Sequence, residues 1–372
     1  MLSALFAVVA TPLLPACGNR ETAKDTRIQV DGKVFGCVPD STGPVGGGKG
    51  YSRAVMAGEH RAVSVEELIE SLRVARPGEA VYIPGNVVLD FTALVFAESF
   101  VLHIPGGVTL ASNRGILGSP GALLKSDAFQ TSPLIRADGP GVRLTGLRIQ
   151  GPDSERRLEH WKRSFSSLYK EEREGLTEHQ YYYRFPVARG VYTEFDDLEI
   201  DNCEMSGWSQ AAVFLSEGKG HHIHHNYIHS NQRQGLGYGV SHGTSFSLIE
   251  YNLFGWNRHS IAGTGRPPSG YIARYNVELG HSLSHNFDMH GGRDRKDGTT
   301  IAGSRIEIYN NTFLGTGRAI GIRGSPEEYA RIYRNWFKAH FAPGPAVIID
   351  WPVADTVELG ENLYGTNTPA VQ

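Results

Sequence analysis

Short apolar–polar alternations of three to five residues recur along this chain, each closed by Asn and one or two bulky side chains: LEIDNCEM, IHHNYI, LIEYNLF, IARYNVE, IYNNTF and IYRNWF. Alternation with period two marks a strand with one face buried. The runs are too short and too regularly broken for helices of ordinary length. The Asn residues fall at 202, 226, 252, 276, 311 and 335, four of the five steps being 24 to 26 residues, and Asn362 follows. A strand-and-turn repeat of this length predicts stacked β-coils that share one core. Asn recurring at one place predicts a ladder in which each amide bonds to the next. Ile223, Ile249, Ile308 and Ile332 are expected in the core.

The segments AVYIPG, VVLDF, FVLHIPGGVTLASNRG and VRLTGLRIQG, broken by Gly and Pro, read as the first coils. Ahead of them Ser64-Val65-Glu66-Glu67 forms a capping box before the amphipathic VEELIESLRVA. A short helix there would cover the open end of a solenoid and its unpaired strand edges. The expected fold is all-β: a right-handed parallel β-helix over 51–372, with an N-terminal capping helix. Residues 153–189 are charged, aromatic and partly helical in pattern, and are expected to project between two coils. Trp161, Tyr181, Tyr182 and Tyr183 can stack there on sugars.

Composition narrows the picture. The 372 residues contain 45 Gly and are 40% hydrophobic, enough for one long domain that grows by adding coils. A net charge of −3 gives no electrostatic case for nucleic acid. It leaves room for a local basic groove that takes an anionic sugar polymer. The apolar start MLSALFAVVATPLLPAC is too short to span a bilayer and reads as an export signal. Leu14-Pro15-Ala16-Cys17 resembles a bacterial lipobox. The expectation is therefore an exported protein, secreted or anchored to the cell envelope by a lipid on Cys17. Residues 18–50, with GPVGGGKG, read as a flexible tether. Cys37 and Cys203 remain, as a disulfide or as buried thiols.

Counting from each Asn, a second strand with a polar end follows in each coil. The expected outward column is Glu217, His242, Thr264 or Arg266, His290, Arg323 and Asp350, with Met289, Ile322 and Ile349 facing inward. Arg258, His259, Arg266, Arg318, Tyr238 and Arg233 are expected to bind substrate along a basic rim. Asp294 and Asp297, in the loop GGRDRKDGTTIAG, are a conceivable calcium pair; an ordinary polar turn suits them better. In HHIHHNYIH, His222 and His224 share a face as metal ligands do, but no neighbouring column supplies a clear third ligand. The reading requires no cofactor and expects a monomer.

NFDMHG is the sharpest local motif. Asp288 and His290 lie two apart on a strand and face the same side. Coil length, capping helix and Asn ladder, over residues 64 to about 365, resemble the right-handed parallel β-helix (pectate-lyase-like) proteins that act on polysaccharides. Within that group, Asp288 and His290 match the last two positions of the Tyr-x-x-Asp-x-His motif of mannuronan C5-epimerases, and Phe287 matches a common neighbour. His285 stands where the Tyr would be, and Met289 replaces the usual Pro. The resemblance implies a polysaccharide lyase or epimerase that removes the C5 proton of a uronate. His290 would act as base, Arg323 would pair with the carboxylate, and His242, His285 or Tyr238 would be the second proton-transfer group. Two alternatives remain: a glycoside hydrolase using Asp288 and Asp350, with Glu217 and Glu250 as further carboxylates, and a non-catalytic glycan-binding surface protein.

Overall fold

The computed structural model describes residues 26–153, 172–173, 176–177, 186–233 and 235–365. Cys17 and the aromatic residues Trp161, Tyr181, Tyr182 and Tyr183 lie outside these. Of the expected lobe, an antiparallel pair, Glu172–Arg173 with Leu176–Thr177, is described.

Three long parallel sheets of eleven, ten and nine described strands run side by side along the chain. Every third strand in sequence pairs with the next of its sheet, as a right-handed parallel β-helix requires. The eleven-stranded sheet carries Ile200, Ile223, Ile249, Ala273, Ile308 and Ile332 in register, all buried in a single apolar column. The helix Val65–Val74 closes one end, with Leu68 and Leu72 buried. Its N-cap Ser64 Oγ accepts from Glu67 N at 3.2 Å.

The ladder runs through Asn226, Asn252, Asn276, Asn311, Asn335 and Asn362. Each Oδ1 accepts from the Nδ2 of the preceding coil's Asn at 3.0–3.1 Å. Asn202 is not a member. Cys203 occupies its place, donating its backbone N–H to Asn226 Oδ1. Asn202 falls one residue earlier, at the left-handed position (φ 54°) that His225, Tyr251 and Tyr275 take in the following coils. A second, shorter ladder links Asn231 Nδ2 to Asn257 Oδ1 at 2.8 Å on the far side of the ten-stranded sheet.

Residues 26–53 are not a loose tether. They lie along the ladder turns as a strap crossing many coils. Cys37 Sγ contacts Tyr275 O, Gly46 N donates to Tyr251 O, Gly48 N to Asn202 Oδ1 and Tyr51 Oη to Asp201. Glycine is required by the fit: a Cβ on Gly47, at φ +66°, would stand 2.3 Å from His225 O. Cys37 and Cys203 are both buried free thiols.

Candidate active site

The nine-stranded sheet carries the site on its outer face. In the strand Phe287–Met289, Phe287 and Met289 point into the core and Asp288 points out. Its register neighbours are Ala262 and Gly321, so no side chain competes for the space around its carboxylate. A Cβ on Gly321 would lie 3.1 Å from Asp288 Oδ1 and 3.2 Å from His285 Cγ. Four cationic or imidazole groups fill that space. His290 Nε2 lies 3.0 Å from Oδ2, His259 Nε2 3.7 Å from Oδ2, and His285 Nδ1 3.5 Å from Oδ1. Arg323 grips both oxygens, its Nε donating to Oδ1 at 3.0 Å and its Nη2 to Oδ2. Its Nη1 donates to Asp294 at 3.1 Å.

Asp288 is fully buried. Burial alone would raise its pKa, but the nearby His259 and His290 and the bonds from His285 and His290 hold it well below the usual carboxylate range. It is a fixed anion. Arg323 is raised despite its burial, because it faces that anion. His259 is driven well below the ordinary histidine value by burial and by the Arg258 cation, although Asp288 opposes this. His259 Nδ1 faces His285 O at 2.5 Å, and its Nε2 has no hydrogen-bond partner among the described residues.

Tyr238, His259 and His285 stack one coil apart, with ring centroids 5.7 and 5.8 Å from each other. The Arg258 guanidinium stands 6.0 Å from the Tyr238 ring centroid. Arg258 Nε and Nη1 are buried without hydrogen-bond partners among the described residues.

The structure thus gathers Asp288, His290, His285, His259, Arg323, Tyr238 and Arg258. It separates others. His242 is inside the coil: it pairs in register with Leu215 and Gly263, its Nδ1 faces Ala262 O at 3.0 Å and its Nε2 faces Ser247 Oγ at 2.7 Å. Burial pushes its pKa down to about 4, so it is a satisfied core histidine. The outward position belongs to the next residue, Gly243. Glu217 errs the other way, one residue past Ser216. The remaining column holds: Thr264, His290, Arg323 and Asp350 follow one another, with Met289, Ile322 and Ile349 beside them facing the core. Arg266 and Arg318 are exposed at the margins, and Arg318 aligns with His285. Asp294 and Asp297 turn their carboxylates to Arg323 and to Arg295 and Thr299. Glu250 lies on a different sheet, paired with His222 and Arg274.

One buried acid escaped the sequence reading. Glu278 sits inside the coil, its Oε2 accepting from Ser260 Oγ at 2.6 Å and its Oε1 unpartnered among the described residues. Burial raises its pKa to about 7 from 4.5, against the bonds from Ser260 and Asn286. The native state therefore keeps a proton that the unfolded chain releases between these two values, so this group's contribution to stability falls as pH rises through that window. Glu278→Gln is expected to remove that decline and to raise Tm at pH 8 relative to pH 5, compared with the parent; thermal melts at the two pH values check it.

No protein-family model matches the chain, and no curated protein is similar in sequence. Among solved structures, an alginate lyase from Paenibacillus sp. str. FPU-7 superposes with a TM-score of 0.55 at 14% identity, over 82% of this chain and 94% of that one. The family 28 exopolygalacturonase of Yersinia enterocolitica gives a TM-score of 0.43 at 13% identity, over 84% and 68%. The first similarity supports the β-helix architecture. Neither protein is an epimerase.

Proposed function

We propose that this protein acts on a uronate-containing polysaccharide by removing the proton at C5, as a lyase or a C5-epimerase. The observation that carries this reading is the buried Asp288 anion ringed by His290, His285, His259 and Arg323 on the outer face of the coil. A solved protein of similar fold acts on alginate, which is consistent with the substrate class.

His290 Nε2 faces Asp288 Oδ2 at 3.0 Å and Arg323 Nη2 at 3.1 Å; in the tautomer that donates Nε2–H to Asp288, the lone pair of the ring is on Nδ1. His290 is partly exposed and Asp288 is not, so His290 is the base and Asp288 its positioning residue. Removing the C5 proton leaves an electron pair delocalised into the C5 carboxylate. That carboxylate must be neutralised. Arg323 is already committed to Asp288 and Asp294, so the role passes to Arg258, whose donors are free. Collapse of the carbanion then either breaks the C4–O bond, the electrons leaving on oxygen to be protonated, or returns a proton to C5 from the opposite face. With His242 inside the core, Tyr238 and His285 are the groups left for that second step.

A hydrolase pair of Asp288 and Asp350 fits less well. A fully buried carboxylate held ionised by a bidentate guanidinium neither reaches a glycosidic oxygen nor keeps the proton a general acid needs. Arg258→Ala is expected to raise KM for the polymer and lower kcat together, by about tenfold or more in kcat/KM, as loss of a charge-assisted pair implies. Steady-state kinetics on a uronate polymer check it; unchanged constants would return the carboxylate to another cation.

A further inference from the structure

The histidine run at 221–225 does more than fill a strand. In the eleven-stranded sheet, Glu199 lies in register with His222, and Asp201, His224 and Glu250 follow one another two residues on. The rings of His222 and His224 stack at 4.0 Å between centroids. One ligating atom each from Glu199, His222 and His224 lies within 4.8 Å of the others. The third ligand that His222 and His224 lack in the sequence thus comes from the preceding coil.

The hydrogen-bond chain behind these rings sets their tautomers. Asp40, on the strap, only accepts, so His225 Nε2, 3.1 Å from its Oδ1, carries a hydrogen. In the neutral ring the other nitrogen, Nδ1, is then a lone pair. That lone pair faces His224 Nδ1 at 3.0 Å, which must therefore donate. That leaves His224 Nε2 as the nitrogen open to a ligand, and it stands 3.1 Å from Glu199 Oε1. The Arg53 guanidinium stands beside both, a cation at the place a metal ion would take. Tetrahedral ligands about 2.0–2.1 Å from zinc stand ~3.3 Å apart, which this spacing matches. A ligating histidine usually donates its other ring N–H to an outer acceptor; here His225, itself bound to Asp40, stands in that place.

We propose that Glu199, His222 and His224 form a structural site for a divalent transition ion of the zinc class, separate from the Asp288 site. The groups facing it are known. Arg53 lies 2.8 Å from Glu199 and 3.4 Å from His224 Nε2, and Arg143 lies 3.6 Å from Glu199. Glu250 holds His222 Nε2 at 2.8 Å and is itself held by Arg274. Arg53 is a half-exposed side chain that the ion displaces, while Glu250 is placed to become the fourth ligand. Bound, the ion joins successive coils and, through Asp40 and His225, fixes the strap.

The test is Zn²⁺ titration of the full chain at pH 7.5, by calorimetry and by melting temperature, with Co²⁺ absorption as a probe of geometry. One ion per chain, a higher Tm and a tetrahedral Co²⁺ spectrum are expected. His222→Gln, at a partly exposed position that tolerates the change, should weaken binding at least ~100-fold, more than loss of an outer partner does. Arg53→Ala should tighten it, because the competing cation is gone. No binding in the micromolar range, or binding that His222→Gln and Glu199→Gln leave unchanged, would overturn the proposal, as would an Arg53→Ala variant that binds more weakly.

Discussion

His290→Ala is expected to lower turnover on the natural polymer by roughly 10² or more, the scale of a positioned general base. The side chain is partly exposed and makes its contacts with Asp288 and Arg323, so its removal should leave the coil folded. Asp288→Asn provides the companion test. It removes the anion that His290 Nε2 faces at 3.0 Å and so should change the pH profile of turnover. It also takes from Arg323 the buried one of its two carboxylate partners, leaving Asp294, so a fall in Tm should accompany the kinetic change. A residue with a merely structural role would move Tm alone and leave the pH profile in place.

The largest stability effect is expected in the asparagine ladder. Asn276 donates Nδ2–H to Ile249 O at 2.9 Å and to Asn311 Oδ1 at 3.0 Å, and its Oδ1 accepts from Asn252 N and Nδ2 at 3.0 and 3.1 Å. All these groups are buried. Asn276→Ala leaves the Asn252 N–H without its acceptor and removes one bond each from Asn252 Nδ2, Ile249 O and Asn311 Oδ1, of which Asn252 Nδ2 keeps Ile223 O and Asn311 Oδ1 keeps the backbone N–H of residue 276. At about 1–3 kcal/mol for the orphaned N–H and about 0.5–1.5 kcal/mol for each further bond lost, a loss of about 3 kcal/mol follows. Asn362→Ala, at the partly buried end of the ladder, should cost clearly less. Equilibrium unfolding of both variants checks the ranking; equal losses would mean that the ladder does not act as a buried network.

The coil was legible because its signal repeats. Ladder residues and apolar columns recur at one spacing, so a single misplacement does not hide them. Asn202 misleads by one position because it stands directly before Cys203, which fills the ladder place in that coil. The site was legible only in part. The inward residue of the site strand falls between 11 and 16 residues after its ladder Asn, since the turns between sheets differ in length. A shift of one residue exchanges faces, which is how His242 was read as outward and Gly243 overlooked. Asp288 and His290 survived because both stand in one motif. The commitment of Arg323 to Asp288, and the unpaired state of Arg258, depend on side-chain geometry across coils and leave no mark in the sequence. The strap was missed for a related reason: glycines that allow close approach to the coil look the same as glycines that confer flexibility.

The central claim is C5-proton removal at the Asp288–His290 site. Its most direct test is product analysis by NMR after incubation in D₂O with a panel of uronate polymers, alginate and polygalacturonate among them, using the parent and His290→Ala. The account predicts a 4,5-unsaturated uronate or deuterium at C5 from the parent, and neither from His290→Ala. Saturated chain ends without deuterium at C5, formed equally by both proteins, would contradict it.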